Sequence, residues 1–209
     1  MKGMEGLARI EIVAVPEPTA RLLVAHRDGD RDAFSHLVER YRRPVFGYLV
    51  RCGIAEADRD DLFQEIFLKI HQRADQYDTA RPLHPWLFTV VANTVRTYLR
   101  KQKLRSYFVW EPANADVPDV PDVKDIKDDA PDAEALASAQ QTKAWLERAI
   151  RALPMPQREV LILATIENLP LKDIASILEM PINTVKTHVR RARMRLVESY
   201  ERRTRVSHD

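Results

Sequence analysis

Residues 183–193, Asn-Thr-Val-Lys-Thr-His-Val-Arg-Arg-Ala-Arg, constrain this chain more than any other stretch. Read as a helix, they put Val185, Val189, Ala192 and, one turn on, Leu196 on one face. Lys186, Thr187, Arg190, Arg191 and Arg193 are left on the others. Just upstream, Leu171-Lys-Asp-Ile-Ala-Ser-Ile-Leu makes a shorter apolar-periodic helix with the small Ala175 at its middle, and a tight turn at Glu179-Met180-Pro181 separates the two. A short helix, a turn and a basic helix are the parts that set a second helix into the DNA major groove. A solvated basic helix in any helical protein would also carry such charge. The order of small residue, turn and basic face favours DNA binding.

The rest of the chain supports an all-α fold. Only five Gly occur in 209 residues, 45% of the residues are hydrophobic, and β-branched runs are scarce. That length allows one large domain or two small ones. The net charge of +2 conceals an asymmetry. Between Glu111 and Ala135 the acidic residues far outnumber Lys124 and Lys127, so the remainder is clearly basic and suits a polyanion partner. A single cysteine, Cys52, excludes an internal disulfide and a multi-cysteine zinc site within one chain. No signal peptide is read: the apolar stretch 10–15 contains Glu11 and stops at Pro16. No stretch approaches the length of a membrane span. The expected location is the cytoplasm.

Four divisions are expected. Residues 1–18 read as a flexible N-terminal arm. Residues 19–110 form a first helical domain, with helices over about 19–27, 33–52, 56–74 and 85–107, the second of them kinked or divided at Pro44. Residues 111–135, with four prolines and many carboxylates, read as an acidic flexible linker that cannot bury a core. A second domain of short helices, containing the helix-turn-helix, occupies 136–205.

The third helix has two characters. Leu62, Phe63, Ile66, Phe67 and Ile70 share a core-facing side, whereas Asp61, Gln64, Glu65 and Leu68 lie opposite. Outer-face charge is often only solvation. An exposed Leu68 among carboxylates is what the centre of a protein-docking patch needs. In the fourth helix, Trp86, Leu87, Val90, Val91, Thr94, Val95, Tyr98 and Leu99 form an apolar band, edged by Asn93, Arg96, Arg100, Lys101, Lys103 and Arg105. Cations near a helix C-terminus complement its dipole, but capping needs fewer than this. With Tyr77, Trp86 and Phe88 close by, the helix offers charge and flat rings for unpaired bases, although most single aromatics in such a band are core residues.

Taken together, these features resemble the extracytoplasmic-function group of bacterial RNA polymerase sigma factors. The resemblance rests on Asp61-Leu-Phe-Gln-Glu-Ile-Phe-Leu-Lys-Ile, Pro85-Trp-Leu-Phe-Thr-Val-Val-Ala-Asn93, Leu99-Arg-Lys, Ala152-Leu-Pro154 with Arg158-Glu-Val-Leu161, and the basic helix 183–193, in the family's order and spacing. It implies that residues 19–110 are region two and residues 136–205 region four. Asp61, Gln64, Glu65 and Leu68 would bind core RNA polymerase. Trp86, Asn93, Arg96, Arg100 and Lys101 would bind and help to melt the minus-ten element, extruding a base at a cost of about a few kcal/mol. Thr184, Lys186, Thr187, His188, Arg190, Arg191 and Arg193 would bind the minus-thirty-five element. The resemblance implies an alternative sigma factor with core polymerase, promoter DNA and an anti-sigma protein as partners, and no catalysis, cofactor or metal. The chain departs from the family's usual pattern at Thr97, where an Asp is common, at His188, where an Arg is common, and at Glu179, where a Gly is frequent. These differences leave the promoter sequence open.

Two other readings compete with this one. A regulator with a sensor domain before its helix-turn-helix would need alternating strands and helices in the first half, where helical patterns run on. A helical hydrolase built on His71, Asp75, Asp78 and His84 lacks two ligands on one helical face, and Pro82 and Pro85 interrupt the segment.

Overall fold

Eight α-helices and one short 3-10 turn make up the computed structural model, which describes residues 18–108 and 133–206; no strand occurs among them. The expected arm and acidic linker lie outside the described residues, apart from Pro18, which opens the first helix, and residues 133–135, which open the fifth. In chain order the helices are α1 (Pro18–Arg27), α2 (Arg31–Cys52), α3 (Glu56–Gln72), α4 (Leu83–Phe108), α5 (Ala133–Arg151), α6 (Met155–Thr165), α7 (Leu171–Ile177) and α8 (Ile182–Val206), with the 3-10 turn Ala74–Gln76 after α3.

Local chemistry sets the ends of α2. Asp30 accepts hydrogen bonds from the backbone N–H groups of Asp32 (2.9 Å) and Ala33 (3.2 Å), which caps the N-terminus. Gly53 ends the helix at φ 84°, a left-handed position that glycine adopts without strain. Pro44 neither divides the helix nor ends it. The buried stripe Leu37, Tyr41, Val45, Tyr48, Leu49 and Cys52 continues past the proline on both sides, and that packing outweighs the lost backbone bond.

The turn between α7 and α8 has the shape a helix-turn-helix needs. Glu179 takes φ 51°, the left-handed conformation in which glycine would be easier, and Met180 N–H donates to the Ala175 carbonyl at 2.9 Å. The residue that departs from the common glycine therefore still makes the turn. Downstream, Val185, Val189 and Ala192 are buried and Leu196 half-buried, the stripe that the periodicity predicts.

One hydrophobic cluster runs from Ala20 to Ala192 through both helical groups. α2 packs on α5 and α6, and α4 packs on α7. The first four helices and the last four thus share an interface. Its centre holds Tyr48, wholly buried and edge-on to Phe88, and the buried Cys52, whose thiol burial pushes well above its usual range.

Candidate nucleic-acid interface

On α3, the amphipathic pattern sorts the side chains as expected. Leu62, Phe63, Ile66, Phe67 and Ile70 are buried, while Asp61, Gln64 and Glu65 are exposed. Leu68 is 55% exposed, an apolar side chain standing among polar ones. Glu65 is tied by an exposed ion pair to Lys69 (2.6 Å), whose ammonium also reaches the buried Thr94 hydroxyl at 3.3 Å. That cation on the same flank escaped the sequence reading. Its signal was the i,i+4 spacing of Glu65 and Lys69.

On α4, the basic residues separate into two environments. Arg100, Lys101 and Lys103 are exposed at the C-terminal end, and Trp86 and Asn93 are half-buried. Tyr77 and Phe88 are core residues, at 4% and 0% exposure, and offer no face to an unpaired base. Tyr77 instead donates its hydroxyl to the Arg81 carbonyl (2.6 Å) and packs against Trp86 with 5.3 Å between ring centroids. Trp86 alone of the three keeps an accessible part. The apolar band needed those rings for its own packing.

On α8, Lys186, Thr187, Arg190, Arg191 and Arg193 are exposed and Thr184 and His188 half-buried. The Thr187 hydroxyl donates to the Asn183 carbonyl at 2.8 Å, which leaves its oxygen as an acceptor toward the outside. His188 turns partly inward: its Nδ1 is buried without a hydrogen-bond partner. Beside these cations an open groove of about 590 Å³ runs along α8, flanked by Leu171 of α7.

The remaining predicted residue, Arg96, faces the other half of the chain. Its Nε donates to both carboxylate oxygens of Glu159 on α6, at 3.0 and 3.1 Å, and its Nη1 donates to the Leu178 carbonyl at the end of α7, at 3.0 Å. Glu159 is 2% exposed and accepts a further bond from the Tyr48 hydroxyl at 3.3 Å. Burial pushes the Glu159 carboxyl above its usual range, and Arg96 opposes that shift. Next in sequence, Arg158 crosses in the opposite direction. It donates to the Cys52 carbonyl (2.9 Å), the Leu153 carbonyl (2.9 Å) and the Arg151 carbonyl, and its Nη1 sits where a Cβ on Gly53 would be crowded.

A second cross-contact joins His84 of α4 to Glu167 after α6, at 3.6 Å. Burial pushes the Glu167 carboxyl up to about 7, with Arg51 opposing the shift. None of Tyr48, Arg158, Glu159 and Glu167 was assigned a role from sequence. Glu159 could have been found, because it interrupts an otherwise apolar helical stripe next to Val160–Leu163 and so needed a buried partner. His71 pairs with His26 (2.8 Å) and His84 with Glu167, so the four side chains of the hydrolase reading do not converge. Among the described residues no three metal-binding side chains come together, and no helix is long and apolar enough to cross a membrane.

Comparison with known proteins agrees with this geometry. Residues 37–105 match the family model of sigma-70 region 2, and residues 143–196 that of sigma-70 region 4. The chain is 31% identical over 177 residues to the ECF RNA polymerase sigma-E factor of Haemophilus influenzae, covering 80% of this chain and 87% of that protein. It is 28% identical over 167 residues to the ECF RNA polymerase sigma factor SigW of Bacillus subtilis, covering 80% and 88%. Two solved structures share the fold. CnrH in complex with the cytosolic domain of CnrY aligns with a TM-score of 0.62 at 22% identity, over 88% of this chain and 98% of that one. RpoE in complex with the anti-sigma factor NepR from Bartonella quintana aligns at 0.55 and 23%, over 78% and 96%. The chain belongs to the ECF RNA polymerase sigma factors, alternative sigma factors that bind core RNA polymerase and direct it to promoters.

Proposed function

We propose that this sigma factor divides promoter work between residues 19–110, its region two, and residues 136–205, its region four, with residues 111–135 as the tether between them. The outer face of α3, with Leu68 at the centre of Asp61, Gln64 and Glu65, docks on core polymerase. The C-terminal half of α4 opens the minus-ten element: Arg100 and Lys101 grip the single-stranded backbone, Trp86 supplies a ring and Asn93 a base contact. α8 reads the minus-thirty-five element, Lys186 and Thr187 at base edges and Arg190, Arg191 and Arg193 mainly at phosphates. Thr184 and His188 support that surface from its flank. The protein works in the cytoplasm, where the polymerase is, and an anti-sigma protein holds it inactive, the type of partner recorded for RpoE from Bartonella quintana.

One observation carries the reading. α8 buries Val185 and Ala192 completely while leaving Lys186, Arg190, Arg191 and Arg193 exposed along its length. A cationic surface on a rigidly seated helix after a tight turn is suited to a groove lined with phosphates. Arg96 adds a condition. Its guanidinium is spent on Glu159 and Leu178, so it serves the minus-ten element only after the two halves separate. Transcription reconstituted with core polymerase tests the assignment, with start sites mapped on a genomic library. The chain should direct initiation to a discrete promoter set, and start sites no different from those of core polymerase alone would refute it.

A further inference from the structure

The segment between α4 and α5 has a period that the description of a tether does not use. From Asp116 it reads Asp-Val-Pro-Asp-Val-Pro-Asp-Val-Lys-Asp-Ile-Lys-Asp-Asp. Aspartates fall at 116, 119, 122, 125 and 128, and Val117, Val120, Val123 and Ile126 follow each of the first four. A spacing of three makes no stripe on an α-helix, where successive positions drift by about 60°, nor on a strand, where they alternate between faces. It does make an edge on a chain with three residues per turn, the extended polyproline form that Pro118 and Pro121 favour. Such a chain would carry one apolar edge beside one acidic edge.

The groove along α8 has the matching pair of properties. Its apolar floor is Leu171, Val189, Met194 and Val197, of which Met194 and Val197 are 51% and 56% exposed. Lys186, Arg190 and Arg193 supply positive charge along it, and Glu198 stands at the far end. From Lys186 to Glu198 the helix advances about 18 Å. The apolar edge from Val117 to Ile126 would extend about 28 Å in the three-per-turn form, enough to follow the groove.

We infer that residues 116–128 dock in this groove, with Val117, Val120 and Val123 on the apolar floor and the intervening aspartates against Lys186, Arg190 and Arg193. The charges also give a direction: Lys124 and Lys127 occur only in the second half of the repeat, which sets that half toward Glu198. The segment then leads into α5, and α5 already touches the same helix, Trp145 packing against Tyr200 with 5.4 Å between ring centroids. Reach is not limiting, since residues 109–132 span up to about 80 Å. The docked segment occupies the cations that DNA would use. That consequence, though not the docking itself, rests on the reading of α8 as the DNA-reading helix.

A nitroxide on Pro118→Cys of the full chain tests the docking through the methyl signals of 13C-labelled methionine, Cys52 being buried and shielded from the label. The Met194 methyl signal should lose most of its intensity, recover when the nitroxide is reduced, and remain strong in two labelled variants. One changes Val117, Val120, Val123 and Ile126 to Ser, and the other changes Asp116, Asp119, Asp122 and Asp125 to Ser. An unaffected Met194 signal would overturn the inference. So would a loss that persists in both serine variants, which a tether alone would give, or one that arises only between labelled and unlabelled chains, which would make a second copy the occupant. Duplex binding is a separate arm: with the groove about nine-tenths occupied, the valine-to-serine variant should bind the minus-thirty-five duplex about tenfold tighter. A positive methyl effect with unchanged duplex affinity would leave the docking standing and count against the DNA role of α8.

Discussion

Arg96 and Glu159 lie 63 residues apart, on α4 and α6, and meet in an ion pair in which the one Nε–H of Arg96 is shared between the two carboxylate oxygens, at 3.0 and 3.1 Å. Glu159 is buried, whereas Arg96 keeps about 29% of its side-chain surface. Region two and region four are therefore joined through one of the cations assigned to the minus-ten element.

Breaking that pair should loosen the packing and release Arg96. Glu159→Gln keeps the shape and removes the charge. Taking one partner from a buried pair costs about 3–5 kcal/mol, and the partial exposure of Arg96 reduces this to roughly 1–2 kcal/mol after solvent screening. Urea unfolding should register that loss while binding of a non-template minus-ten strand improves. Lower stability with unchanged strand affinity would mean that Arg96 has no part in DNA binding.

Glu167 should make the packing depend on pH. Its carboxyl rises from 4.5 to about 7 in the folded chain, with His84 and Arg51 as the facing groups. A raised carboxyl means that the folded form holds the proton more tightly. Its stabilising contribution is thus complete below about pH 4.5, declines as pH rises through about 7, and is absent above. Stability measured from pH 5 to 8 should fall less steeply in Glu167→Gln than in the wild type. Equal slopes would exclude Glu167 as the titrating group.

Reversing charge on α3 should separate polymerase binding from folding. Asp61→Arg with Glu65→Arg leaves the buried face untouched and sacrifices only the exposed pair with Lys69, worth about 0.3–0.5 kcal/mol. Affinity for core polymerase should drop at least about tenfold, or 1.4 kcal/mol. Unchanged affinity in a direct titration would remove α3 from the docking surface.

The exposed cations at the end of α4 should act through phosphates. Arg100→Ala with Lys101→Ala should weaken non-template strand binding irrespective of sequence and lower its salt slope by about one unit per lost contact. Normal permanganate reactivity of the promoter in this double variant would count against their role in melting.

Much of this architecture was legible because helical periodicity reports burial directly. The stripe Val185, Val189, Ala192 predicted the seat of α8, and Leu62 to Ile70 predicted that of α3. The outward Leu68 was legible for the same reason. Contacts between the halves were not, since periodicity says which face is buried but not against what. Arg96 looked like one more cation on a basic edge, and Glu159 lay inside a recognised motif without a partner in view. Tyr77 and Phe88 followed the ordinary rule for such a band: rings beside cations suggested base stacking, but packing had the prior claim. Pro44 suggested a break that the flanking stripe of α2 overrode.

Promoter selection with reconstituted holoenzyme tests the account at its centre, because it asks α8 to read sequence. A library randomised upstream should return a defined minus-thirty-five preference for the wild type. Lys186→Ala should lose about 1–3 kcal/mol on that element and relax one or two positions, whereas Arg193→Ala should bind all sequences more weakly with the same preference. Identical preferences for the wild type and the Lys186 variant would contradict the assignment of α8 as the reading helix.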